Sequence, residues 1–125
     1  MKNKKIICFD LDEVICKNKR NKENLILYET SKPIIKSIKI INQLYREGHQ
    51  IDIFTARGMT RYKGNINLIK KKLQKLTLLQ LKSWKLKFHN LYFGKPYCDF
   101  FIDDKSYGFE KNWQKKIRKI LKSKF

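Results

Sequence analysis

Two short apolar runs stop abruptly on acid. Lys5-Ile-Ile-Cys-Phe9 meets Asp10, and Asp99-Phe-Phe-Ile102 meets Asp103-Asp104, as buried parallel strands do when their C-terminal ends face a site. Between them, Pro33-Ile-Ile-Lys-Ser-Ile-Lys-Ile-Ile-Asn-Gln-Leu-Tyr-Arg-Glu-Gly48 puts Ile34, Ile38, Ile41 and Tyr45, with Ile35 and Leu44, on one helical face. Ser31 is a candidate N-cap, Pro33 suits the first turn, and Gly48 suits the left-handed C-terminal position. Residues 50–54, Gln-Ile-Asp-Ile-Phe, read as the next strand. Strand, helix and strand then make a βαβ unit with a right-handed crossover, which implies a parallel sheet.

Residues 65–86 read as two helical stretches. Leu68, Ile69, Leu73 and Leu76 belong to the first, and Thr77 is a candidate cap for a second holding Leu78, Leu79, Leu81 and Trp84. Asn90–Phe93 is a third strand closed by Gly94, and the run ending at Asp103 is the fourth. From Glu110 onward Trp113, Ile117, Ile120 and Leu121 recur at helical spacing, as in a covering helix. Residues 15–30 lack a firm period and read as a flap-like polar excursion. No repeat or linker divides the 125 residues, so a single domain is expected. The expected fold is α/β, a Rossmann-like three-layer α/β/α arrangement with a mostly parallel sheet and strand order 4-1-2-3.

Charge bounds the partners. Thirty Lys+Arg against 11 Asp+Glu give +19, a balance that suggests nucleic acid or another anionic partner. Lys, Ile and Asn, whose codons are dominated by A and U, make up two-fifths of the chain. The lysines are scattered, with few arginines and none of the interleaved aromatics that single strands stack on. A solvated, composition-driven basic face is the expectation, with no specific nucleic acid. No apolar run nears the roughly 18–20 residues that cross a bilayer, so no membrane partner is expected. Cys8, Cys16 and Cys98 have no CxxC spacing and read as reduced thiols of a cytoplasmic protein.

The acid-ended strands carry chemistry because C-terminal strand ends of an open parallel sheet converge on one edge. Asp10, Asp12, Thr55, Lys95, Asp103 and Asp104 would meet there. Clustered carboxylates repel and need a cation, and hard oxygen donors select Mg²⁺ over zinc. Lys95 and Thr55 offer a positive charge and a hydroxyl to a phosphoryl oxygen. Arg57 either contacts a substrate anion or makes a surface salt bridge. His49 and His89 fall at the opposite edge as ordinary polar positions, and Trp84 and Trp113 read as packing residues.

Phe9-Asp10-Leu-Asp12-Glu-Val14, Ile53-Phe-Thr55, Lys95 and Ile102-Asp103-Asp104 resemble, in order, the four motifs of the haloacid dehalogenase superfamily. Phe54-Thr-Ala-Arg-Gly58 and Gly94-Lys-Pro-Tyr-Cys-Asp-Phe-Phe-Ile-Asp-Asp-Lys105 look like the small phosphatases found with bacterial capsule and surface-polysaccharide genes. The resemblance covers roughly residues 5–107. It implies that Asp10 is a nucleophile and metal ligand, and that Asp12 is a general acid and base whose backbone carbonyl binds the metal. Asp103 is implied as a direct ligand, with Asp104 one layer out. Thr55, Lys95 and the Ala56 N–H are implied to hold phosphoryl oxygens. Many members have Gly where this chain has Glu13. The implied enzyme is capless, acting on a small phosphorylated metabolite such as a sugar phosphate, with a homo-oligomer left open. A nucleic-acid end phosphatase and a non-enzymatic RNA- or partner-binding module are the alternatives.

Overall fold

The computed structural model describes residues 4–94, 98–104 and 111–124, with the backbone alone for Ile120 and for residues 122–124. Lys95 lies outside these residues. Along the chain come β1 (Ile6–Asp10), β2 (Cys16–Arg20), β3 (Ile26–Pro33), α1 (Ile35–Arg46), β4 (Gln50–Thr55), α2 (Ile66–Ser83), β5 (Asn90–Phe93), β6 (Phe100–Ile102) and α3 (Trp113–Lys124).

β1 and β4 are apolar and almost wholly buried, and they occupy the centre of a four-stranded sheet ordered β5-β4-β1-β6. All three pairings are parallel, with Ile7 opposite both Ile51 and Phe100. This is the strand order expected from the sequence, and the α/β architecture is compatible with a Rossmann-like three-layer fold. Ile7, Phe9, Ile51 and Ile53 alternate onto one sheet face. There they pack with Ile38, Ile41 and Leu44 of α1, Trp113, Ile117 and Leu121 of α3, and Leu81 of α2. Each such side chain contributes about 1.5–3 kcal/mol on leaving water. The Phe9 and Trp113 rings sit 5.5 Å apart, tying α3 to the strand that bears the first two aspartates.

Residues 15–30, expected as a flap-like polar excursion, hold most of an antiparallel hairpin of β2 and β3, which runs on to Pro33 with a register shift between Lys17 and Lys19. Two local expectations are corrected. α1 begins two residues after Pro33, and Ser31 does not cap it. The N-cap is Ile34, without a side-chain hydrogen bond, because Ser31 is a strand residue engaged elsewhere. Residues 66–83 are one continuous helix. The Thr77 hydroxyl donates to the Leu73 carbonyl at 2.9 Å, one turn back, and so remains inside the helix. Gly48 takes φ +97° after α1, as expected of a C-terminal glycine. No helix among the described residues is long and apolar enough to cross a membrane.

Candidate active site

Parallel register sets the site. Asp10 pairs with Phe54, so Asp10 and Thr55 finish at the same sheet edge. β6, on the other side of β1, delivers Asp103 and Asp104 to that edge. Carboxylate oxygens of Asp10, Asp103 and Asp104 all lie within 4.8 Å of one another. Burial, then the negative charges of Asp103, Asp12 and Asp104, push the Asp10 carboxyl up to about 8. Three carboxylates this close repel, an arrangement that a shared proton or a bound cation relieves. The donors are all hard oxygens, a set that fits Mg²⁺. Asp104, expected one layer out, brings its carboxylate into the same group.

Asp12 is held apart. Its carboxylate accepts from Arg57 Nε at 3.2 Å on each oxygen, from Arg57 Nη2 at 3.1 Å and from Asn18 Nδ2 at 2.7 Å. Its side chain therefore stands outside the cation group, so only its backbone carbonyl is left for the metal role that the resemblance implies.

Arg57 is not a surface residue, and its guanidinium is turned into the protein. Its side chain is fully buried, and Nη1 donates to Thr77 Oγ1 at 3.2 Å and Gln80 Oε1 at 2.6 Å. Nη2 reaches Ser31 Oγ at 2.9 Å besides Asp12. All five guanidinium N–H groups are thus committed within the protein, and Cζ lies 4.9 Å from the centroid of the Tyr28 ring. A buried cation needs this much compensation, which is why the guanidinium turns inward.

Thr55 is buried. Its hydroxyl oxygen accepts the Arg57 backbone N–H at 3.0 Å, and the hydroxyl faces Asp12 Oδ2 at 3.4 Å. Ala56 follows, exposed at the strand end. Sequence reasoning missed Asn18, Ser31, Thr77 and Gln80 as supports of Asp12. Only Thr77 left a readable signal, as a polar residue four positions from both Leu73 and Leu81 on the buried face of α2. Tyr28 binds the hairpin down: its hydroxyl accepts the Gly58 N–H at 3.1 Å, and its carbonyl accepts from Gln80 Nε2 at 2.7 Å. Glu13 has φ +72°, a conformation natural to Gly and strained for other residues. It is held by its N–H to the Cys16 carbonyl at 2.8 Å and by an ion pair to Lys17.

The histidines keep to the other end of the sheet. His49 Nδ1 accepts the Lys5 N–H and His89 Nδ1 the Ile51 N–H. Burial pushes the Cys8 and Cys98 thiols up, away from the reactive thiolate.

Neither a family model nor a curated protein matches the sequence. Two solved structures are similar in fold. An MCSG target from Vibrio cholerae superposes with a TM-score of 0.70 at 21% identity, over 96% of this chain and 99% of that one. A conserved protein from Bacteroides thetaiotaomicron gives a TM-score of 0.61 at 20% identity, over 98% and 93%. At these identities the likeness speaks for the fold alone.

Proposed function

We propose that the chain is a Mg²⁺-dependent phosphomonoester hydrolase of the haloacid dehalogenase type, working through an aspartyl-phosphate. The observation that carries this reading is the separation of two carboxylates two residues apart. Asp10 sits in the acidic group with Asp103 and Asp104, while Asp12 is turned onto Arg57 and Asn18. One is set for attack and the other for proton transfer.

Asp10, Asp103 and Asp104 would hold Mg²⁺, whose charge offsets the repulsion between the attacking carboxylate and the phosphate. A carboxylate oxygen of Asp10 bonds to phosphorus as the ester P–O bond breaks, and Asp12, having taken up a proton from solvent beforehand, gives it to the departing alcohol oxygen. Asp12 then takes a proton from water, whose oxygen attacks phosphorus, and the Asp10 carboxylate and inorganic phosphate are released. Arg57 fixes the Asp12 carboxylate for both transfers without touching substrate. Thr55 stands beside Asp12 as the hydroxyl nearest the transferred group, and Lys95 supplies the positive charge that the four motifs imply.

The motif flanks support a small phosphorylated metabolite, a sugar phosphate of capsule or surface-polysaccharide synthesis, as substrate. A screen of phosphorylated metabolites for phosphate release, with Mg²⁺ and with chelator, tests the reading. Release should depend on Mg²⁺ and vanish in Asp10→Asn. Turnover that survives either change overturns it.

A further inference from the structure

Beside the acidic group, between the first turns of α1 and α3, lies a cavity of about 510 Å³ whose wall includes Glu13, Lys17, Lys36, Asp104, Lys111 and Gln114. Its size is in the range that encloses a small-molecule ligand. Three observations say what that ligand carries. First, neither helix has an acid in its first turn, and α1 has no side-chain cap. Among the described residues, neither helix start therefore carries an acid of its own where it borders the cavity.

Second, the lysines outnumber the acids they pair with. Lys17 is bound to Glu13 at 3.1 Å, and among the described residues no acid pairs with Lys36 or Lys111. Third, Gln114 leaves an acceptor unused. Ser37 Oγ gives its one proton to the Val14 carbonyl at 2.7 Å, so it only accepts from Gln114 Nε2, at 2.9 Å. That fixes the amide, and Gln114 Oε1 is left buried without a donor among the described residues. Gln114 lines the cavity while its Oε1 is closed off from it, so a ligand hydroxyl or N–H meets that acceptor once the side chain turns into the cavity.

We propose that this cavity receives the alcohol half of the substrate, and that the substrate is a polyol phosphate ester bearing a second anionic group, a carboxylate or a further phosphate. This rests on the phosphatase reading and narrows it. With the ester phosphate on Asp10, the leaving oxygen passes Asp104 into the cavity. The second anion settles among Lys36, Lys111 and the helix starts, and a ligand hydroxyl donates to Gln114 Oε1.

The test compares kcat/KM, with Mg²⁺, for phosphogluconate, a hexose bisphosphate, a neutral hexose phosphate and p-nitrophenyl phosphate. At least one acidic ester should exceed the neutral hexose phosphate by about tenfold or more, as a charge-assisted contact implies. Which acidic ester leads tells carboxylate from phosphate. Lys36→Met, at an exposed position, should raise KM for the acidic ester and bring that ratio toward one. Gln114→Leu should raise KM for polyol esters relative to p-nitrophenyl phosphate. Cleavage of p-nitrophenyl phosphate without preference for acidic esters, or a preference that Lys36→Met leaves intact, overturns the inference alone. No cleavage of any ester overturns the phosphatase reading and this inference together.

Discussion

Arg57 Nη2 donates to Asp12 Oδ1 at 3.1 Å while Nε reaches both Asp12 oxygens at 3.2 Å. The guanidinium thus holds a residue 45 positions earlier in the chain through one edge, that of Nε and Nη2. It does so from a fully buried place supported by α2 and the β2–β3 hairpin, so Asp12 takes its orientation from parts of the fold that do no chemistry.

The two aspartates should fail differently. Asp10→Asn loses the attacking oxygen, so no phosphoenzyme should form. Asp12→Asn keeps an acceptor for Arg57 but cannot carry a proton, a loss typically worth about 10²–10⁴-fold in rate. With a good leaving group it should still acquire phosphate on Asp10 and shed it slowly. Rapid-quench labelling with p-nitrophenyl phosphate separates the two, and equal labelling of both variants refutes the assignment of Asp10.

Removing the other half of the pair should cost more in stability than in binding. Arg57→Met leaves Asp12 without its cation, and breaking a buried pair from one side costs about 3–5 kcal/mol. The partial exposure of Asp12 puts this pair at the lower end of that span. Arg57→Lys should recover little, because an ammonium cannot reach Asp12, Gln80 and Ser31 together. Urea unfolding measures the loss, and kcat should drop with KM for p-nitrophenyl phosphate nearly unchanged.

Protons and cations should compete at Asp10. Its carboxyl is raised from 3.8 to about 8, so between those values the folded state binds a proton that the unfolded chain has released. Stability of the cation-free protein therefore falls as pH rises through that window. His49, held below its ordinary value by burial, acts in the opposite sense. The contribution of Asp10 is then the difference between wild type and Asp10→Asn in melts at about pH 5 and about pH 8. Mg²⁺ should remove that difference, and its affinity should weaken by about tenfold per unit below pH 8. A difference that is flat across the window contradicts the raised carboxyl.

Glu13→Gly should be tolerated or stabilising. The left-handed backbone costs a non-glycine residue about 1–2 kcal/mol, offset by the freedom glycine gains in the unfolded chain. Thermal melts should show an unchanged or higher midpoint, while a loss of several degrees would mean that the Lys17 ion pair outweighs the strain.

Salt should distinguish a compositional charge from a working one. Hydrolysis of a small ester should weaken modestly with ionic strength, whereas binding to a duplex through several lysines would fall steeply on a logarithmic plot. Submicromolar, structure-selective RNA or DNA binding at physiological salt, with phosphate released from the end, would promote the nucleic-acid reading.

The parallel sheet and the acidic edge were legible because each is written locally: four apolar runs, two of them stopped by aspartate. The hairpin was not. Cys16-Lys-Asn-Lys-Arg20 is mostly polar and exposed, and it is a strand through its pairing with β3, with Asn18 bound to Asp12 and Ser31 to Arg57 across the fold. For the same reason Arg57 looked peripheral, since its partners Ser31, Thr77 and Gln80 are 20 or more residues distant. Thr77 misled because a hydroxyl mid-helix and a hydroxyl at a helix start read alike until its partner, the Leu73 carbonyl, is seen.

The sheet ends on β5, four residues long, and β6, three residues long. Open borders this short offer a passing strand few unpaired amide groups to grasp. Lys85 and Lys87, both exposed just ahead of β5, repel another copy of so basic a chain. Crowded together, these molecules have little means of zipping onward along the four-stranded sheet, and the protein carries in that sheet's outline a safeguard against fibrous assembly.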